Sequence, residues 1–242
     1  MLAKPATRWG AFGIHLAISV IIFIVLAAII VFAWYPGFLF RTDGGWQGIR
    51  LIAGIDLVLG PLLTLIVYNR TKKSLPFDLA IIAAVQVTAL AAGCWLVYQE
   101  RPIAVVFADQ RFSTMSQNSF TFNGIDPDAI ALLSASRKPV WIFADSIPSM
   151  PGESAIENFN RLGPRHLRIE DYAPFEQHAY KLETLGFLKI EGEAALPPEG
   201  HLRYYKMLSR YFEGYLLMDL QNWKVVKTIL TNSTDIYGVS AK

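Results

Sequence analysis

Three long apolar runs dominate the first hundred residues of the chain. They cover residues 11–33, 51–68 and 79–98, and Trp and Tyr residues stand near their ends. A helix of about 20 apolar residues crosses the roughly 30 Å hydrocarbon core of a bilayer. Each run is therefore predicted to be a transmembrane helix. The bulky Trp34-Tyr35-Pro36 that follows the first run indicates an anchor that is not cleaved.

Beyond the third run, helix and strand patterns mix without strict alternation. Strands are predicted at residues 103–107, 140–144, 202–211, 214–220 and 224–230, and helices at residues 126–134, 153–161 and 174–185. Gln221-Asn222, between the last two strands, indicates an antiparallel hairpin. The predicted fold class is a three-helix transmembrane region, residues 1–101, plus a C-terminal α+β domain, residues 102–242.

The basic residues predict an orientation. Lys4 and Arg8 precede the first run, and the short loop 70–73 between the second and third runs holds three more basic residues. Loops rich in Lys and Arg stay in the cytoplasm. This rule places the N-terminus and loop 70–73 in the cytoplasm. The C-terminal domain is then expected on the other side, which in a bacterium is the periplasm.

Composition narrows the class of protein. The 242 residues are 53% apolar, which is high for a soluble domain, and the net charge is only +2. After residue 101, 14 Lys and Arg residues face 16 Asp and Glu residues. This balance argues against a nucleic-acid partner. The single cysteine, Cys94, lies in the third run and allows no disulfide within the chain.

One carboxylate, Asp56, lies inside the second apolar run. An acidic side chain at mid-membrane costs roughly 2.5–3.5 kcal/mol on insertion scales, so a buried one needs a partner, a protonation change or a cavity. Counted from the end of the run, Asp56 is expected roughly 7–8 Å below the periplasmic boundary, where it could instead be hydrated. Pro61 follows in the same run and is predicted to kink the helix.

Four other polar residues fall nearer the cytoplasmic ends of the runs: His15, Ser19, Thr64 and Gln86. They are expected to form one polar layer in the cytoplasmic half, far from Asp56, with His15 and Ser19 on one helix face. This layer either binds a partner or only joins the three helices by hydrogen bonds.

Motifs of catalysis or cofactor binding are absent from the sequence. His166 and Glu170 stand four residues apart and could ligate a metal if they were helical, although such pairs are usually surface residues. Asp109 and Arg111 could form an ion pair after the first strand. We therefore expect a protein that is not an enzyme and holds no metal or cofactor.

The membrane half resembles the type IV pilin accessory proteins, which are inner-membrane pilin-assembly chaperones. The matching stretches are His15-Leu-Ala-Ile-Ser19, Trp34-Tyr-Pro-Gly-Phe-Leu-Phe40, Gly44-Gly45-Trp46, Asp56-Leu-Val-Leu-Gly-Pro-Leu-Leu-Thr64, Lys72-Lys73-Ser74, Asp78-Leu79, Gln86 and Arg101-Pro102 with Asp109-Gln-Arg-Phe112. They follow in order and at matching spacing. Beyond residue 112 the resemblance is weak.

The resemblance implies a non-enzymatic helper in the bacterial inner membrane, in contact with lipid and with the major type IV pilin. It would meet both the transmembrane helix and the globular head of the pilin. Pilins of this class carry an acidic residue near the cytoplasmic start of their helix, and His15 above all is expected to bind it. The full hypothetical pilin-binding set is His15, Ser19, Asp56, Pro61, Thr64 and Gln86. The alternatives are a membrane-anchored sensor, or a small membrane enzyme or transporter that uses Asp56 and His15.

Overall fold

The computed structural model describes Pro5, residues 7–131, Leu133, residues 139–144, Gly152 and residues 154–230. The chain forms two compact units, Met1–Phe40 with Gly44–Gln99 and Arg41–Asp43 with Glu100–Lys242. The first holds three long apolar helices and the second a mixed α/β sheet. The predicted fold class is therefore confirmed.

Three helices of the first unit are long and apolar enough to cross a membrane. We call Arg8–Trp34 the first span, Gly45–Val67 the second and Leu75–Gln99 the third. Their segments, with the short helix between the first two spans, are α1 (Arg8–Ile29) with a π-helical turn (Ile30–Trp34), α2 (Leu39–Thr42), α3 (Gly45–Ala53), a π-helical segment (Gly54–Leu59), α4 (Gly60–Val67) and α5 (Leu75–Gln99).

The second span begins earlier than its apolar run predicts, at Gly45 rather than residue 51. The charge of Arg50 bounds the apolar run in the sequence, but the helix continues through this residue. The Arg50 guanidinium lies over the Trp46 ring one turn earlier, 5.0 Å from its centroid. With the start at Gly45, Asp56 stands eleven residues from each end of the span. The prediction that Asp56 lies five residues from one end of its span is therefore wrong, and its depth in a membrane stays a prediction.

Glycines let the second and third spans approach closely. A Cβ atom on Gly48 would lie 2.9 Å from Val97 Cγ1, and one on Gly93 would lie 3.3 Å from Ile55 Cδ1. The loss of two Cβ atoms brings the helix backbones together, as small residues do in membrane helix pairs.

The second unit is built on one seven-stranded sheet. Its strands are β1 (Pro102–Ala108), β2 (Arg111–Ser116), β3 (Val140–Ala144), β4 (Tyr172–Pro174), β5 (Leu202–Ser209), β6 (Phe212–Asp219) and β7 (Lys224–Leu230). They lie in the order β4-β3-β1-β2-β5-β6-β7; the pairs β1–β3 and β2–β5 are parallel, and the other neighbours are antiparallel. The helices of this unit are α6 (Gln117–Phe122), α7 (Pro127–Ala131), α8 (Ala155–Leu162), α9 (Phe175–His178) and α10 (Leu182–Leu185).

The centre of the sheet is covered on both faces, because β1 and β3 are buried along almost their whole length. One face packs Val106 and Ile142 against Phe120 of α6 and Ile130 of α7. The other face carries an aromatic cluster of Phe107, Phe112, Trp141, Phe175 and Tyr205. Burial raises the pKa of Tyr205, whose hydroxyl donates a 2.6 Å hydrogen bond to the Leu182 carbonyl oxygen.

Several local predictions for this unit are confirmed, and others are wrong. β3, β7 and the antiparallel β6–β7 hairpin occur as expected. β2 and α6 were not predicted at all. The single helix expected at residues 174–185 is instead β4, α9, a 3₁₀ turn and α10, because His178 takes a non-helical backbone conformation and its ring stacks on Phe143. Part of the helix expected at residues 126–134 lies outside the described residues.

Candidate functional site in the membrane unit

Asp56 is the centre of a polar cluster that joins the three spans. Its side chain is fully buried, and one carboxylate oxygen, Oδ1, accepts two hydrogen bonds. Ser19 Oγ of the first span donates at 2.9 Å, and Gln86 Nε2 of the third span donates at 2.8 Å. Gln86 Nε2 also lies 3.4 Å from Ser19 Oγ. We call Ser19, Asp56 and Gln86 the central triad.

The local structure of the second span shapes this site. Pro61 has no N–H to donate, and just before it the helix widens into the π-helical segment that carries Asp56. In this segment the Gly60 N–H donates to the Ile55 carbonyl oxygen, five residues back. Gly60 also makes room for Gln86, because a Cβ atom at Gly60 would overlap the Gln86 amide. Gly60 and Pro61 therefore set where Asp56 and Gln86 meet.

A second polar contact lies one to two helical turns away, toward the N-terminal end of the first span. Nδ1 of His15 and Oγ1 of Thr64 are 2.6 Å apart, and Thr64 Oγ1 lies 3.2 Å from the Gly60 carbonyl oxygen. The single proton of the Thr64 hydroxyl goes to one of these two acceptors, and the tautomer of His15 decides which. Thr64 is buried, whereas His15 is only half-buried. Among the described residues, no partner contacts Nε2 of His15.

The structure corrects the expected arrangement of the polar residues. Ser19 and Gln86 do not form a separate layer far from Asp56, because both contact it directly. Each member of the central triad stands eleven residues into its span, which places all three near the middle of their helices. His15 bonds Thr64 and not Asp56, as the sequence predicts.

Pro61 is buried like the triad, so His15 is the most accessible of the six predicted binding residues. The burial of Ser19, Asp56, Thr64 and Gln86 directs their polar atoms toward neighbouring helices. The sequence did not single out Gly60, whose missing side chain makes the Asp56–Gln86 contact possible.

The second unit does not assemble the other predicted contacts. Asp109 pairs with Arg165 at 3.1 Å rather than with Arg111. His166 and Glu170 lie on two separate 3₁₀ turns, so the helical spacing required for their metal pair does not occur. Within the described part of the chain, no three His, Cys, Asp or Glu side chains group as metal ligands do.

One buried carboxylate of the second unit was not predicted. Asp43 accepts a 2.6 Å hydrogen bond from Thr42 Oγ1, while Tyr211 N–H and Ser209 Oγ bind the Thr42 carbonyl oxygen. Burial raises the pKa of Asp43 to about 6, although hydrogen bonds and the nearby Arg210 act in the opposite direction. Arg210 in turn forms an ion pair with Glu100.

Fold and site together define a class: a three-span membrane protein with a polar centre between its helices and a mixed α/β domain after them. The chain resembles three curated proteins of Dichelobacter nodosus. It is 35% identical over 120 residues to the fimbrial assembly protein of serogroup I, and these aligned residues make up 49% of this chain and 46% of that protein. It is 39% identical over 97 residues, or 39% of this chain, to the fimbrial assembly proteins of serogroup E1 and of serogroups C1 and C2.

The chain belongs to this family of fimbrial assembly proteins, because its match covers 74% of the protein of serogroups C1 and C2. The family resemblance seen in the sequence is thereby confirmed. The chain spans less than half of the serogroup I and E1 relatives, 46% and 38% of their lengths. No family model and no solved structure matches it.

Proposed function

We propose that this protein is a membrane chaperone that binds the major type IV pilin in the bacterial inner membrane and promotes pilus assembly. Membership in the fimbrial assembly family is the observation that carries the proposal. The three spans and the α/β domain support it, because they offer one surface for an apolar helix and another for a globular head. Two modest contacts on one chain raise the effective concentration of the second contact.

The membrane contact is proposed to centre on His15. The other five residues of the predicted set, Ser19, Asp56, Pro61, Thr64 and Gln86, are buried and position the helices around it. His15 is half-exposed and Thr64 contacts its Nδ1 atom, so the proposed contact uses the opposite ring atom, Nε2. In the tautomer in which Thr64 Oγ1 donates to Nδ1, Nε2 carries the ring proton and donates it to a carboxylate of the pilin helix. A hydrogen bond to a charged group contributes roughly 1.5–3 kcal/mol, or about a ten- to hundredfold change in binding.

The proposed action is assembly and not catalysis. The relatives are named for assembly, and the central triad is engaged in hydrogen bonds that join helices. An enzyme or transporter that moves a proton between Asp56 and His15 is less well supported, because each of these side chains contacts a different partner.

The proposed orientation puts the N-terminus in the cytoplasm and the α/β domain in the periplasm. Arg70, Lys72 and Lys73, between the second and third spans, are the support for it. A reporter fused after residue 242 should be active only in the periplasm, and one inserted near Ser74 only in the cytoplasm. The opposite pattern would refute this orientation.

Photo-crosslinking and co-purification test the pilin contact. A crosslinking side chain at position 15 should capture the first turn of the pilin helix, whereas one at the exposed Phe77 of the third span serves as a lipid-facing control. His15→Ala should lower recovery of the complex about tenfold or more. Thr64→Val, which removes the same internal contact but keeps the imidazole, should lower it much less.

Failure of the His15 contact and failure of the chaperone function give different experimental outcomes. Crosslinks confined to the α/β domain would refute the His15 contact and leave the chaperone function standing. Normal pilin levels and normal piliation in a deletion strain without a redundant homologue would refute the function itself.

A further inference from the structure

Two buried oxygen atoms of the central triad have no hydrogen-bond donor. Asp56 Oδ2 and Gln86 Oε1 are both enclosed, and neither has a partner among the described residues. Both donors that reach Asp56 bind its other oxygen, Oδ1. A buried acceptor without a donor costs about 1–3 kcal/mol, and more when it carries charge. The triad therefore lacks one donor between two acceptors.

An ionised Asp56 does not fit this environment. No described Lys, Arg or His side chain forms an ion pair with it, and its only donors are a neutral hydroxyl and a neutral amide. Of the titratable groups on the neighbouring spans, His15 contacts Thr64 and not Asp56, and Cys94 of the third span interacts with Asp56 without supplying a positive charge. A carboxylate at mid-membrane without a counter-charge is a costly state.

We propose that Asp56 is a proton-binding site: Oδ2 carries a proton and donates it to Gln86 Oε1. A protonated carboxyl group presents one donor and one acceptor, and so does the edge of a primary amide that carries its oxygen and the N–H on the same side. Together with the 2.8 Å bond from Gln86 Nε2 to Asp56 Oδ1, this proton forms a reciprocal acid–amide pair. One proton thus gives a hydrogen-bond partner to both Asp56 Oδ2 and Gln86 Oε1 and removes the negative charge of Asp56.

The neutral pair joins the second and third spans by two hydrogen bonds and requires no charged group. It stands apart from the pilin proposal, because it depends only on contacts within this chain. It also predicts which substitution is tolerated. An asparagine at position 56 offers Gln86 one donor and one acceptor in the same arrangement, whereas a leucine offers neither.

Infrared spectroscopy of the full chain in lipid vesicles tests the proposal. With ¹³C-labelled aspartate at pH 8, the spectrum should contain the carbonyl band of a protonated carboxylic acid. Asp43, whose pKa lies near 6, is ionised at this pH and does not contribute. The band should disappear in Asp56→Asn and shift in Gln86→Ala, which removes the proposed acceptor. Asp43→Asn, a control outside the membrane, should leave it unchanged.

A second measurement uses unfolding of the same proteins. The unfolding equilibrium constant of Asp56→Asn should stay within a few-fold of the parent value, and that of Asp56→Leu should rise at least tenfold. A spectrum in which every labelled aspartate shows only carboxylate bands would overturn the proposal. So would an Asp56→Asn variant as unstable as Asp56→Leu, since the amide would then fail to replace the protonated acid.

Discussion

Gly60→Ala should destabilise the membrane unit, although alanine is ordinarily the better helix former. A Cβ atom at position 60 would lie 2.5 Å from Gln86 Nε2 and closer still to Oε1. The Gln86 amide must therefore move away, and its 2.8 Å hydrogen bond to Asp56 is lost. A lost hydrogen bond between membrane helices costs about 0.6–2 kcal/mol, and an unpaired buried group about 1–3 kcal/mol.

The expected net effect is a loss of about 2–3 kcal/mol in the free energy of unfolding, after the usual gain of about 0.5–1 kcal/mol from replacing a helical glycine. Denaturant titration of the purified protein in mixed micelles measures it. Gly54→Ala is the matched control in the same span, because a Cβ atom there meets nothing within 4 Å. It should be neutral or slightly stabilising.

A double-mutant cycle isolates the cause. With Gln86→Ala already present, Gly60→Ala should cost little, because no amide remains to be displaced, so the two effects should be strongly non-additive. If Gly60→Ala and Gly54→Ala have equal effects, or if the cycle is additive, the close approach of Gly60 and Gln86 is not what holds the triad together.

Two further predictions concern the second unit. The pKa of Asp43 rises from its ordinary 3.8 to about 6 on burial, so its contribution to stability is present below pH 3.8 and is lost as the pH rises through about 6. Asp43→Asn should therefore stabilise the protein at pH 8 by up to roughly 3 kcal/mol. It should also flatten the pH dependence of the thermal unfolding temperature between pH 3.8 and about 6. A pH profile identical to that of the parent protein would contradict this prediction. Gly186→Ala should cost about 1–3 kcal/mol, because its Cβ would lie 2.6 Å from Arg203 Cβ and 2.9 Å from the Tyr205 hydroxyl. Amide hydrogen exchange at Phe187 and Tyr204, which bond each other, should accelerate, and unchanged protection would refute the clash.

The sequence by itself determined the features that depend on local pattern. Apolar length predicted three spans, a short apolar run after Pro139 predicted β3, and the Gln221-Asn222 step predicted the β6–β7 hairpin. Turns without a sequence signal were missed. The two-residue turn between β1 and β2 is made by Asp109 and Gln110, both at positive φ, where glycine or asparagine is the usual signal. Without it, β2 was not recognised.

Only the tertiary structure decided which polar residues meet. Hydropathy bounds the second span at the charge of Arg50, but the helix begins at Gly45, and this places Asp56 at its middle. There Asp56 faces Ser19 and Gln86, which sequence counting placed in another layer. The register between helices depends on contacts such as the one Gly60 permits, and these involve residues far apart in the chain. Local pattern therefore specifies the spans, and packing between them specifies the site.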